Sequence, residues 1–108
     1  MPGAKNDPDF TWRRYVRAHP SDTWVAVGVR KPARAAGNPL WIRVHAKTGH
    51  YQQAVDRIHR HWPTAETDAA GHTWLPLTVT PGLVGTALID ELVSQSRKVV
   101  AAIATGHP

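Results

Sequence analysis

An α+β fold is predicted: a small, mainly antiparallel sheet of three strands, with helices in the order α-β-β-α-β-α. Three observations carry it. At 108 residues the chain has the length of one domain and can bury one ordinary core without staples. Two stretches, 24–30 and 40–47, alternate their residue types with period two and are separated by a short run rich in turn formers. Two others, 49–62 and 85–104, repeat apolar residues at helical spacing.

Residues 1–8 (MPGAKNDP) hold two prolines and a glycine without apolar period, so a disordered lead-in is expected, with residues 9–108 forming a single α+β domain. Asp9 is placed to cap a first helix starting at Phe10. That helix, FTWRRYVRAH, would turn Phe10, Tyr15 and Val16 to the core and Arg13, Arg14 and Arg17 outward, ending before Pro20. From Thr23 the period becomes two. Val25, Val27 and Val29 share one face of a strand, while Trp24, Ala26, Gly28 and Arg30 share the other.

The connection 31–38 (KPARAAGN) is basic and small-residue rich, and reads as a long hairpin tip. The second strand, 40–47, sets Leu40, Ile42, Val44 and Ala46 against Trp41, Arg43, His45 and Lys47. Thr48 is the expected N-cap of a helix from Gly49 to Trp62, whose stripe is Tyr51, Val55, Ile58 and Trp62; Pro63 stops it. Residues 64–71 read as a loop and 72–79 as a third strand, in which Pro76 argues for an edge or a bulge. After Thr80-Pro81-Gly82 the closing helix carries Ile89, Leu92, Val93, Ser96, Val99, Val100 and Ile103 as its buried stripe. Asp90 and Glu91 precede Arg97 and Lys98 along it, the order that the helix dipole favours.

Composition narrows the chemistry. With no cysteine there is no disulfide, no thiol nucleophile and no thiolate metal site. No apolar run reaches the roughly 18 residues of a membrane span and the start is polar, so a cytoplasmic protein without a membrane partner is expected. The net charge of +5 is unevenly spread. Residues 10–60 hold ten cations against Asp22 and Asp56, a balance of +8, whereas 61–96 hold four carboxylates and no cation. If those cations converge, the first helix, the hairpin and the second helix present a positive region suited to phosphates. Arginine outnumbers lysine eight to two among them, and its planar fork suits phosphate and base edges.

The expected function is accordingly a small basic nucleic-acid-binding protein of limited sequence specificity. Its contacts would be Arg13, Arg14, Arg17, Lys31, Arg34, Trp41, Arg43, His45, Lys47, Arg57 and Arg60. Lys31 and Arg34 sit in the hairpin tip, where small neighbours allow close approach to a groove. Trp24, Trp41, Arg43, His45, His72 and Trp74 fall on the face opposite the aliphatics. There Trp41 is the candidate stacker, while Trp24 and Trp74 are expected to pack beneath the first helix.

His72-Thr73-Trp74, followed by Leu92-Val93-x-x-Ser96-Arg97-Lys98-Val99-Val100, resembles the MmcQ/YjbR-like family, small α/β proteins with a double-wing DNA-binding-like fold. The resemblance covers residues 71–103. It implies a nucleic-acid-binding module, DNA in first place, and brings no catalytic residue with it.

Two further readings stay open. A small enzyme or ligand-binding protein would use a His/Arg/Trp pocket on the sheet, with His45 or His72 as acid–base group and Arg43 as anion partner. A protein-interaction module would use the closing helix, for instance in a homodimer. No nucleophile elbow and no phosphate-cradling glycine loop is present, so an enzyme is the less favoured class. No cofactor is implied. No metal site is implied either, since His59 and His61 lie about 200° apart around a helix axis. His45, His50 and His72 converge only if the second and third predicted strands are neighbours.

Overall fold

A computed structural model describes residues 9–30 and 40–107. The expected lead-in, 1–8, and the hairpin tip with Lys31 and Arg34 lie outside the described residues. The order of elements is β1 (Phe10–Arg17), β2 (Trp24–Arg30), β3 (Leu40–Val44), α1 (Tyr51–His61), β4 (Glu66–Thr67), β5 (Thr73–Pro76) and α2 (Gly85–Thr105). All strand pairs are antiparallel, and the sheet runs β1-β2-β3-β5-β4. The predicted order α-β-β-α-β-α with three strands is thereby corrected to β-β-β-α-β-β-α with five.

The first correction is local. Residues 10–17 form an edge strand, not a helix, and the reason lies in one bulge. Thr11 pairs with Val29 and Arg14 with Val27, so Trp12 and Arg13 together stand opposite Gly28. The extra residue shifts the period-two pattern midway: Phe10, Tyr15 and Arg17 face one side, Thr11, Arg14 and Val16 the other. With the alternation broken there, the segment reads as helical. Asp9 therefore caps no helix.

The remaining elements agree in kind with the pattern but not in their ends. Thr48 is not the cap of α1: the N-cap is His50, at φ 56°, and the Thr48 hydroxyl instead accepts from the Trp24 N–H at 2.7 Å. Strand β4, two residues long, falls inside the predicted loop. Pro76 lies on a strand with neighbours on both flanks. Because the adjacent Leu77 N–H donates to Leu40 O at 2.9 Å, the proline nitrogen faces away from β3, and β4 pairs only with Thr73 and Trp74. The missing N–H thus falls where no ladder bond is required.

Both helices cover one face of the sheet. Val25, Ile42, Val44, Leu75 and Leu77 meet Ala54 and Ile58 of α1 and Val99 and Ile103 of α2 in the main core. Only the second half of α2 sinks into it. Ile89 and Val93, expected in the buried stripe, are 60% and 42% exposed. Two contacts dock α2, one at its middle and one near its C-terminal end. Gln95 exchanges bonds of 2.7 Å with both backbone groups of Thr78, and Arg57 of α1 donates to Ile103 O at 2.6 Å. Gly106, at φ 85°, closes the helix by donating to Ala102 O. Among the described residues no helix is long and apolar enough to cross a membrane.

Candidate functional site

Among the described residues no helix covers the second face of the sheet, where the side chains of the strands pack on one another. Cross-strand register aligns Ala26 with Arg43 and Arg43 with Trp74, while Gly28 stands opposite Trp41. Gly28 is where the Phe10 ring settles: a Cβ there would lie 2.8 Å from Thr11 O and 2.9 Å from Phe10 Cε1. Phe10 meets Trp74 edge-on at 4.9 Å, and Trp74 meets Trp41 edge-on at 6.5 Å. Arg43, only 1% exposed, sits 4.9 Å from the Phe10 ring and 5.7 Å from Trp74. Arg30 lies across both tryptophans, 4.1 Å from Trp74 and 4.8 Å from Trp41, and its Nη1 pairs with Glu66 Oε1 at 2.6 Å.

The register thus brings Trp41, Arg43 and Trp74 together, as the strand faces imply. Trp74 is 4% exposed and packs as expected, but beneath Arg30 and Phe10 and not beneath a helix. Trp41 is half-buried at the rim of the cluster. Arginines 30 and 43 are engaged with rings and, for Arg30, with a carboxylate.

At one end of this face the predicted second and third strands are neighbours, and His45 meets His72 with ring centroids 4.1 Å apart. Each ring accepts a backbone N–H at Nδ1, His45 from Lys47 at 3.1 Å and His72 from Ala46 at 2.9 Å. Those bonds call for the neutral tautomer with the proton on Nε2. Burial, and then the neighbouring His72, Arg43 and Lys47, hold the pKa of His45 below the usual histidine value. Asp68 accepts from the backbone of Ala70 and His72 at 3.0 Å each and from Trp74 Nε1 at 2.8 Å. Burial works to raise its pKa, but these bonds outweigh it and hold the carboxyl below its ordinary value. Among the described residues no three metal-capable side chains gather, and His50 does not join the pair.

The remaining cations separate. Arg57 of α1 caps the C-terminal end of α2, and Arg60 is exposed on α1, in the layer on the far side of the sheet from Arg30 and Arg43. Lys47 is exposed in the turn after β3. Arg13, Arg14 and Arg17 follow one another along β1 with no ion pair to a described carboxylate, Arg14 and Arg17 facing opposite sides of the sheet. Arg14 and Arg17 are exposed and Arg13 half-buried, with Arg17 Nη2 2.7 Å from His19 Nδ1.

Beside them stands an aromatic that no period in the sequence singles out. Trp12 is 79% exposed and has φ 58°, a left-handed conformation costly for a bulky L-residue. The bulge turns it out of the sheet between Thr11 and Arg13. Its signal in the sequence is an aromatic directly before a pair of arginines, at the point where the period-two alternation fails.

No protein-family model, no curated protein and no solved structure matches this chain. The likeness of residues 71–103 to the MmcQ/YjbR-like family rests on the motif residues themselves.

Proposed function

We propose that the protein binds nucleic acid along the outer edge of β1, with little sequence specificity. The observation that carries this is Trp12, an indole presented to solvent in a strained conformation just ahead of Arg13, Arg14 and Arg17. Base–aromatic stacking accepts any base, because every base has a π-face, and needs that base unpaired, so a single strand is the favoured substrate. Arg13, Arg14 and Arg17 supply phosphate contacts on either side of the stacked base. The kink itself needs no ligand, but a bulky indole at its exposed tip is the side chain that stacking would use. The family resemblance supports the same class of ligand.

The pocket reading is less well supported. Asp68 has three donors, His45 and His72 each bind a backbone N–H, and Arg43 is buried among rings.

Titration of a fluorescent single-stranded oligonucleotide tests the proposal. Trp12→Ala is expected to weaken binding by roughly 5- to 150-fold, matching about 1–3 kcal/mol of stacking. If three phosphates are neutralised, log K falls with log salt at a slope of about −2, and Arg14→Glu makes it shallower. Equal affinity of Trp12→Ala and the parent at low salt would remove the proposal.

A further inference from the structure

Away from β1, the outward side of α2 has an order of its own. Asp90, Val93, Ser94, Arg97, Lys98 and Ala101 line one shallow concavity of about 530 Å³ along that helix. Their spacing of three and four residues keeps them in one stripe. An acidic group stands at the first end, a basic pair at the other, and Val93 and Ser94 lie midway. Beside the stripe, Val93 and Arg97 also border an apolar groove of about 440 Å³, floored by Val16, Val27, Leu40 and Leu77. Val93 remains uncovered at its edge, and Ile89, one turn earlier on α2, is exposed as well.

We infer that this face of α2 pairs with the same face of a second copy of the chain, antiparallel, about a two-fold axis between Val93 and Ser94. The argument is charge complementarity. A two-fold axis at that point sets Asp90 of one copy against Arg97 of the other, twice over, with Glu91 and Lys98 beside them. Parallel pairing sets like against like. An unrelated partner would need the reversed charge order on a matching helix, whereas a second copy turned by 180° supplies it without further design. The small Ser94 side chain at the centre lets the two backbones approach, and Ile89 and Val93 lose their exposure to water on both copies. The inference does not depend on the ligand of β1: of that strand only Val16, on the groove floor, lies near this face, and neither Trp12 nor the arginines line it.

Sedimentation equilibrium of the full chain is the test. The parent should reach twice the 11.9 kDa chain mass as concentration rises. Asp90→Arg and Arg97→Asp, both at exposed positions, should each sediment as monomers with an unchanged circular dichroism spectrum. The double exchange Asp90→Arg with Arg97→Asp should restore the dimer, because the opposed pairs are re-formed with sign reversed. A parent that stays monomeric at every concentration overturns the inference. So do single variants that still dimerise, a double exchange that does not restore the dimer, and a parent that grows into larger species without closing at two.

Discussion

Trp74 donates its indole N–H to Asp68 Oδ2 at 2.8 Å, and the same carboxylate receives the backbone of Ala70 and His72. One side chain thus shapes the turn between β4 and β5 and orients the tryptophan at the middle of the aromatic face. Asp68→Ala removes all three bonds and leaves Trp74 Nε1 unsatisfied in a largely buried setting. A loss of about 2–3 kcal/mol is expected, read as a lower urea midpoint. Asp68→Asn should fall between, keeping the Oδ1 bonds while turning a donor toward the indole. Equal midpoints for the alanine variant and the parent would show that the turn forms without the carboxylate.

Acid should weaken the fold in two stages. The folded pKa of His45 is depressed, so its contribution is full above the ordinary value of about 6.5 and is lost as pH falls through that value toward the folded one. The folded pKa of Asp68 is depressed as well, so its contribution is full above the ordinary carboxylate value and is lost at lower pH, through the folded one. Protonation of His45 at Nδ1 also sets a donor against the Lys47 N–H. Urea midpoints measured between about pH 7.5 and about pH 5 should decline, and His45→Asn should flatten that first stage. A parent whose midpoint is level across this interval refutes the assignment.

At Gly28 the constraint is steric. A methyl group there meets a backbone carbonyl and the Phe10 ring at under 3 Å, and neither can move without opening the β1–β2 pair. Gly28→Ala should cost about 1–3 kcal/mol despite the better strand propensity of alanine. Gly71→Ala, where the nearest atom is 3.5 Å away but φ is 88°, should be penalised for conformation and not for space. Thermal melts of the two variants, with Phe10→Leu added to each, separate the causes: the smaller side chain should relieve the ring's share of the first variant's loss, the Thr11 carbonyl contact remaining, and none of the second's.

Stability and binding should part company at position 12. Glycine accepts φ 58° without a Cβ penalty, so Trp12→Gly should raise stability by about 1 kcal/mol while it abolishes stacking. A melt combined with an oligonucleotide titration gives both readings. A variant that is less stable than the parent would mean that the exposed indole packs on something.

Much of this architecture was legible because its main elements carry clean periods. Val25, Val27 and Val29 announce β2, and Tyr51 with Ile58 announces α1. Residues 10–17 misled because a single inserted residue breaks an eight-residue alternation, and Phe10, Tyr15 and Val16 then fit no period of two. Glu66–Thr67 is too short to carry a period of any kind. The candidate site was legible in its faces but not in its neighbours. Alternation places Arg43 and Trp41 on one side of β3, yet that Trp74 lies next to Arg43, and His72 next to His45, follows from β5 returning beside β3 after a helical excursion. The expected unity of the basic residues failed for a related reason. Alternation assigns a side within a strand and says nothing of the sheet face on which α1 comes to lie.

The irregularity in β1 also governs where the sheet stops. An unbroken eight-residue ribbon at the border would offer an even row of amides and carbonyls to any passing strand. The outward kink at residue 12 spoils that row near its middle. Excising this one residue should restore the spacing and convert a terminated sheet into a template for fibre growth, which thioflavin fluorescence would register.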